Sequence, residues 1–424
     1  MPDRMRSART SWAYPLLAVA GLALLTGLNA LLSEVFRRRR YGEVHGDDAL
    51  LQSTSVPLLA LGILETAVLL ALFLLFQRRG LLRVPAVRIA GIVAIAVMMF
   101  GAFLQPSDGD AWAYVGYGIV PSVEAAYDTP REPFAGSFRR INDEWGTPML
   151  PSIYGPVWNG YLQLLVHHVP TLESGVIVLK SAAVLWYLAF LALLAYLRVP
   201  QALTALVAVN PAIIEQFVTS VHNDLPGVVL ALLALAALQR GRWAPAIVLL
   251  AAAALIKITF LAVALSVLAG WGTLPRRVAA FAAVAALTAG GIAIVGAPFL
   301  QAMAKVGGDW MQGSRVLLAV HGAVAAVAAA TLIAAFVWNQ WFPGAVWSLS
   351  AMNAMFYSWY QAWGIPYAVR TARSWAAAGL FIAWPVVVEM IHAPVWKLNG
   401  TVVLMLMFGA AGFSLVRTHG AHVR

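Results

Sequence analysis

Gln105-Pro106-Ser107-Asp108-Gly109-Asp110-Ala111-Trp112-Ala113-Tyr114 decides how this chain is read. The stretch follows the apolar run 89–104 and opens a polar segment that lasts to about Pro156. Two carboxylates therefore stand where an apolar helix meets water, with aromatic rings close by at Trp112, Tyr114 and Tyr117. An acid is costly to hold at the rim of a bilayer, so one found there is a functional candidate. Asp110 reads as a catalytic base, and the remaining helices as the scaffold that delivers substrates to it.

Composition supports the membrane setting. Of 424 residues, 61% are hydrophobic and only 11% are charged, against roughly 25% charged in a soluble domain. Apolar runs of about 20 residues cross as helices, and the alternating strand pattern of a barrel is absent. The formal charge of +10 invites a nucleic-acid partner. That reading fails, because the basic residues cluster briefly between apolar runs, as the positive-inside bias produces. Without cysteine there is neither a disulfide nor a thiolate metal site. The run 12–32 follows Arg4, Arg6 and Arg9. It exceeds a signal-peptide core of about 7–15 residues and reads as a retained first helix.

Outward from residue 105, the runs 12–32, 56–76 and 89–104 read as three spanning helices. Arg78, Arg79, Arg83 and Arg88 put the start of the third inside and Asp108/Asp110 outside. Arg37–Arg40 then falls outside if all three cross, so either the run breaks the rule or one of the first two helices does not span. Residues 121–151 mix prolines and glycines with charges and are expected to form short helices on the outer surface. Their charges read as surface, with Arg139 or Arg140 as a lesser candidate for gripping phosphate. Tyr154-Gly155-Pro156 opens a half-depth helix ending at His167-His168.

Further crossings are expected at 176–197, 203–217 and 226–238. The block 243–271 has arginines at both ends, so it must make an even number of passes. Two half-helices of ~14 residues, ~21 Å each, would meet near Lys257 and Thr259. The alternative is one long helix with Lys257 snorkelling. The remaining expectations are a crossing at 278–295, an outer loop at 298–315, a return at 316–337, short pieces at 345–356 and 364–369, and a final pair at 375–391 and 398–416. The result is an all-α polytopic membrane protein with about 11–13 membrane segments. It divides into N-terminal helices (1–88), a core (89–370) with outer loop 105–155, and a C-terminal pair (371–424).

Asp108/Asp110, the Tyr154 turn, His222-Asn223-Asp224 and the aromatic stretch 357–360 all fall on the expected outer side, with Lys257 reaching toward them. A carboxylate can take a proton from an acceptor hydroxyl while a cation stabilises a phosphate leaving group. The chain offers no phosphate loop of Walker type and no βαβ unit for a soluble nucleotide. A lipid-linked phosphosugar suits an all-helical membrane enzyme better.

These residues resemble a known family. Asp110 with Trp112, Tyr114 and Gly118 resembles the first outer-loop motif of the GT-C superfamily of membrane glycosyltransferases. Tyr154-Gly155-Pro156 is similar to the turn that opens the family's next helix. Asn210-Pro211, Glu215 and His222-Asn223-Asp224 resemble a segment of the bacterial polyprenyl-phosphate-mannose-dependent α-mannosyltransferases. Leu255-Ile256-Lys257 and Trp359-Tyr360-Gln361-Ala362-Trp363-Gly364-Ile365-Pro366 resemble two more of their motifs.

The resemblance implies a GT-C type helical bundle in the bacterial inner membrane. It implies inverting transfer of a sugar, with mannose expected, from a polyprenyl phosphate to a hydroxyl of a glycan or glycolipid on the outer side. Asp110 would be the base and Lys257 would contact donor phosphate. His222 would hydrogen-bond phosphate or sugar, with Asp224 orienting it. Glu215 would bind sugar hydroxyls or hold His222, and Tyr154 would line the donor site. Asp108, Trp112, Tyr114, Asn223, Trp359 and Tyr360 would support. No cofactor beyond the lipid-linked donor is expected. A divalent metal between Asp108 and Asp110 would have a thin ligand set.

Plainer readings stand beside these. Asp108 caps the helix that Asp110 begins, and Asn223 or Asp224 caps the helix that starts just before Pro226. His167-His168 form an interfacial pair, since adjacent residues on a helix point apart. Trp359, Tyr360 and Trp363 form an aromatic belt. A transporter or flippase of a lipid-linked saccharide would use Lys257 and Glu215 as coupling groups. A non-catalytic envelope-assembly subunit would need none of them.

Overall fold

Backbone polar groups surrounded by lipid must be satisfied within the segment, and every regular element among the described residues is a helix. The computed structural model describes residues 2–78, 80–107, 109–128, 149–310, 315–338, 358–370 and 375–383. Helices α1 (Pro2–His45), α2 (Asp48–Phe76) and α3 (Pro85–Leu104) follow one another through short connections. Asp47 caps α2 by accepting the Leu50 amide at 3.0 Å, and Pro85 opens α3, where its missing N–H costs nothing.

All three helices are long and apolar enough to cross a membrane. Arg37–Arg40 lies inside α1, with Arg37 and Arg38 each 2.9 Å from Glu34 one turn back. The run thus falls at the end of the hairpins that also carries the C-terminus of α3. Along α3, Val87, Ala94, Met98 and Ala102 are buried while Ile89, Ile92, Phe100 and Leu104 stay exposed. So apolar an outer face fits lipid, not water.

Helix α4 (Gly109–Gly118) occupies the start of the outer segment, followed by a 3₁₀ turn at Glu124–Tyr127. Helices α5 (Pro156–Val166) and α6 (Leu172–Tyr196) come next. The expected crossing at 203–217 is broken instead into α7 (Gln201–Ala208), α8 (Pro211–Ile214) and a π turn at Glu215–Thr219, with a bend of 58°. Pro211 cannot continue the hydrogen-bond ladder. Asn210 restarts it by accepting the Ala212 and Ile213 amides at 3.1 and 3.4 Å.

Helix α9 (Asp224–Gln239) leads to the half-helices α10 (Trp243–Ile256) and α11 (Phe260–Leu268). They meet where charge parity places the break: Lys257 is extended, at φ −151° and ψ 122°. Helix α12 (Leu274–Val295) precedes a correction. The outer loop expected at 298–315 is largely helix α13 (Ala297–Trp310). Phe299, Ala302 and Val306 recur at helical spacing and are buried, an apolar stripe hidden in a stretch that reads as polar.

Helices α14 (Arg315–Trp338), α15 (Ile365–Arg370) and α16 (Trp375–Ile382) complete the described chain, with a 3₁₀ turn at Ser358–Gly364. Among the described residues five helices can span, or six if the bent α7–α8 pair counts as one. The shorter apolar helices include α9 and α10. The expected segments at 345–356 and 398–416, and the end of 375–391, lie outside the described residues.

Candidate active site

The site begins at the end of α3. Beyond Leu104 the backbone turns extended at Gln105, and the Trp112 indole donates to the Ser107 carbonyl at 3.2 Å. Lys180 of α6, absent from the sequence reading, is buried under this corner. Its Nζ donates to the carbonyls of Ala102, Phe103 and Gln105. Nothing in the sequence marks it apart from a lone lysine inside an apolar run, which reads as snorkelling.

Asp110 stands in the first turn of α4 with its side chain 23% exposed, while Ala111, Ala113, Tyr114, Val115 and Tyr117 are buried behind it. The helix ends against α5 at Gly118, where a Cβ would lie 2.8 Å from the Leu162 carbonyl oxygen. Tyr114 makes edge contacts at 5.2 Å with both Tyr154 and Trp158. Tyr117 and Tyr127 hydroxyls donate to the carbonyls of Leu150 and Tyr154 at 2.9 and 3.0 Å. Burial, then the nearby charge of Asp110, pushes the Tyr154 phenol well above its ordinary pKa. It stays a proton donor.

Opposite Asp110 comes the hairpin after the π turn. Val221 is held at φ 56°, an outlier for a β-branched residue, and it aims the buried His222. Nδ1 of His222 lies 3.3 Å from Oδ2 of Asp110. Asn223 occupies the N-cap position of α9 but makes no side-chain cap bond. Its amide is buried without a hydrogen-bond partner among the described residues.

Asp224 does not cap either. Its fully buried carboxylate takes Lys257 Nζ at 3.1 and 3.3 Å and accepts the Trp363 indole N–H. It therefore pairs with Lys257. The adjacent His222 lies against Asp110 across the hairpin.

Lys257 also lies over three rings, 4.5 Å from Tyr360, 5.3 Å from Trp363 and 6.0 Å from Tyr154. Tyr360 and Trp363 are stacked at 4.3 Å, so these two form a cage wall and not a lipid-facing belt. The Asp110–His222 contact and the Asp224–Lys257 ion pair thus meet across residues 222–224. A partly exposed carboxylate and a cation held in a low-dielectric cage suit removal of a proton and stabilisation of a departing anion.

Glu215 begins the π turn and is buried. Glu65 of α2 is a second buried carboxyl, one that the sequence reading missed. A narrow apolar crevice lined by Trp158, Tyr161, Leu179, Trp186 and Leu225 reaches His222 between α5, α6 and α9. His167 and His168 meet each other edge-on at 4.7 Å. No group of three metal-ligating side chains converges among the described residues. Asp108, Arg139, Arg140 and the side chain of Trp359 lie outside the described residues.

A family model, alpha-(1->6)-mannopyranosyltransferase, N-terminal domain, matches residues 12–273, more than half of the chain. Neither the curated proteins nor the solved structures gave a match.

Proposed function

Since the chain belongs to the alpha-(1->6)-mannopyranosyltransferase family and is a membrane glycosyltransferase for mannosyl groups, we propose that it takes mannose from a polyprenyl phosphate. The acceptor is a hydroxyl of a glycan or glycolipid on the outer side of the cytoplasmic membrane, and the configuration at the anomeric carbon inverts. Asp110 accepts the proton of the acceptor hydroxyl as that oxygen bonds to the anomeric carbon. The bond from that carbon to the phosphate oxygen breaks, and the electron pair leaves with the polyprenyl monophosphate. Lys257 faces the developing phosphate charge, kept in place by Asp224 and the rings of Tyr360 and Trp363. His222 orients Asp110 and bridges toward the donor.

The observation that supports this reading most is the meeting of the Asp110–His222 and Asp224–Lys257 pairs at one hairpin. The test is mannose transfer by purified Asp110→Asn protein in detergent, where transport across a membrane has no meaning. Loss of a general base lowers the rate by roughly 10²–10⁴-fold. Near wild-type transfer would remove Asp110 from that role.

A further inference from the structure

Lys180 brings a buried cation to the last turn of α3. Its Nζ lies 3.2 Å from the Ala102 carbonyl oxygen, 3.0 Å from that of Phe103 and 2.6 Å from that of Gln105. An ammonium has three N–H donors, and three carbonyl oxygens lie within their reach. The final carbonyls of a helix lack intrahelical partners and carry partial negative charge. The lysine therefore caps α3 from the side.

A second tie reaches the same corner. The Thr219 hydroxyl donates to the Ala102 carbonyl at 3.1 Å. Thr219 ends the π turn three residues before His222, and Gln105 stands five residues before Asp110. The Ala102 oxygen thus takes one bond from α6 and one from the segment leading to His222. Helix α6 supports α4 directly as well, since a Cβ on Gly175 would fall 2.5 Å from the Val115 side chain.

We propose that Lys180, helped by Thr219, is a positioning residue that sets the distance between Asp110 and His222. This rests on the reading of Asp110 as the base. Lys180 touches no substrate and moves no proton. It fixes the end of α3 and Gln105, and so the approach of Asp110 to His222. The donor cage around Lys257 is built from α9, α10 and the turn at 358–364, whereas the three carbonyls that Lys180 holds belong to the end of α3. Loss of the lysine should therefore slow turnover and leave donor binding nearly alone. A misplacement of about 1 Å in such a site costs about 100-fold in rate.

The test compares kcat and donor KM of the purified full-length wild type with Lys180→Met, Lys180→Arg, Thr219→Val and Asp110→Asn. The assay uses a synthetic polyprenyl-phosphate mannose and an oligomannoside acceptor. Lys180→Met should lower kcat about 30-fold or more while donor KM stays within about threefold. Lys180→Arg should return to within about fivefold of wild type, since a guanidinium also donates to carbonyls. Thr219→Val should lower kcat by about three- to tenfold.

A Lys180→Met kcat within about threefold of wild type would overturn the proposal. So would a loss shared between kcat and KM that arginine does not restore. Should Lys180→Met not fold, Thr219→Val decides: a lowered kcat at constant donor KM supports the clamp, and an unchanged kcat removes it. Asp110→Asn keeps the two ideas apart. Full activity in that variant sinks the base reading, whereas an inactive Asp110→Asn beside a fully active Lys180→Met sinks only the clamp.

Discussion

The Gly155 amide donates to the carbonyl of Ile256 at 2.9 Å, fastening the turn that carries Tyr154 to the residue before Lys257. The contact tolerates no side chain. A Cβ at position 155 would lie 2.0 Å from the Leu255 carbonyl oxygen, which is backbone and cannot swing aside. Gly155→Ala must push the turn off the end of α10, at about 1–3 kcal/mol, the usual cost of overpacking. Thermal unfolding in detergent should register that loss, and donor KM should rise because Tyr154 leaves the cage. A wild-type melting temperature with unchanged KM would mean that the two backbones are not in contact.

The buried Asp224–Lys257 pair predicts a strong coupling. Removing one partner of a buried ion pair strands the other charge, at about 3–5 kcal/mol, while removing both leaves none. Lys257→Met and Asp224→Asn should each destabilise strongly. The double variant should be more stable than their sum implies by about 1 kcal/mol or more. Additive melts would show that the two charges do not share a partner in solution. Donor KM should rise in all three, because Lys257→Met and the double variant lose the ammonium and Asp224→Asn loses the carboxylate that holds it in place.

Much of this arrangement was legible in the sequence, for reasons that differ by residue. The break at Lys257 followed from counting arginines at the ends of 243–271, because parity constrains passes however the side chains pack. The Tyr154 turn and the hairpin at 222–224 were visible as polar residues interrupting apolar runs. Partners were not legible. Asp224 joins Lys257 and Trp363 across a fold that brings residues 139 positions apart into contact, and no local pattern encodes that. Lys180 and Glu65 sit alone in apolar helices and look like snorkelling or incidental charges until the opposing carbonyls or carboxyl are placed. The helix at 297–310 was missed because Gly307, Gly308 and Asp309 weigh toward a loop, and its buried stripe won by tertiary packing.

Trp363 gives a separable contribution to the same cage. Its indole N–H bonds to Asp224 and its ring lies under Lys257. Trp363→Phe keeps a ring and loses the donor. A hydrogen bond to a charged group is worth about 1.5–3 kcal/mol, so this variant should lose stability within that range and bind donor more weakly. Trp363→Ala removes a fully buried ring too and should lose about 3–5 kcal/mol. Equal losses in the two variants would mean that the ring contributes nothing beyond its N–H.

Val221 makes the least intuitive prediction. Its φ of 56° is one that a side chain with Cβ adopts at a cost of roughly 1–2 kcal/mol. Glycine adopts it freely. Val221→Ala loses buried methyl groups and keeps the strain, whereas Val221→Gly loses slightly more apolar contact and relieves it. The glycine variant should therefore melt at or above the alanine variant, by up to about 1 kcal/mol, reversing the usual order at a buried site. Activity should run the other way. A glycine before His222 frees the hairpin that holds the imidazole 3.3 Å from Asp110, so the better-melting variant should be the slower enzyme. An alanine variant that is both more stable and faster would place Val221 in ordinary backbone and take away its part in aiming His222.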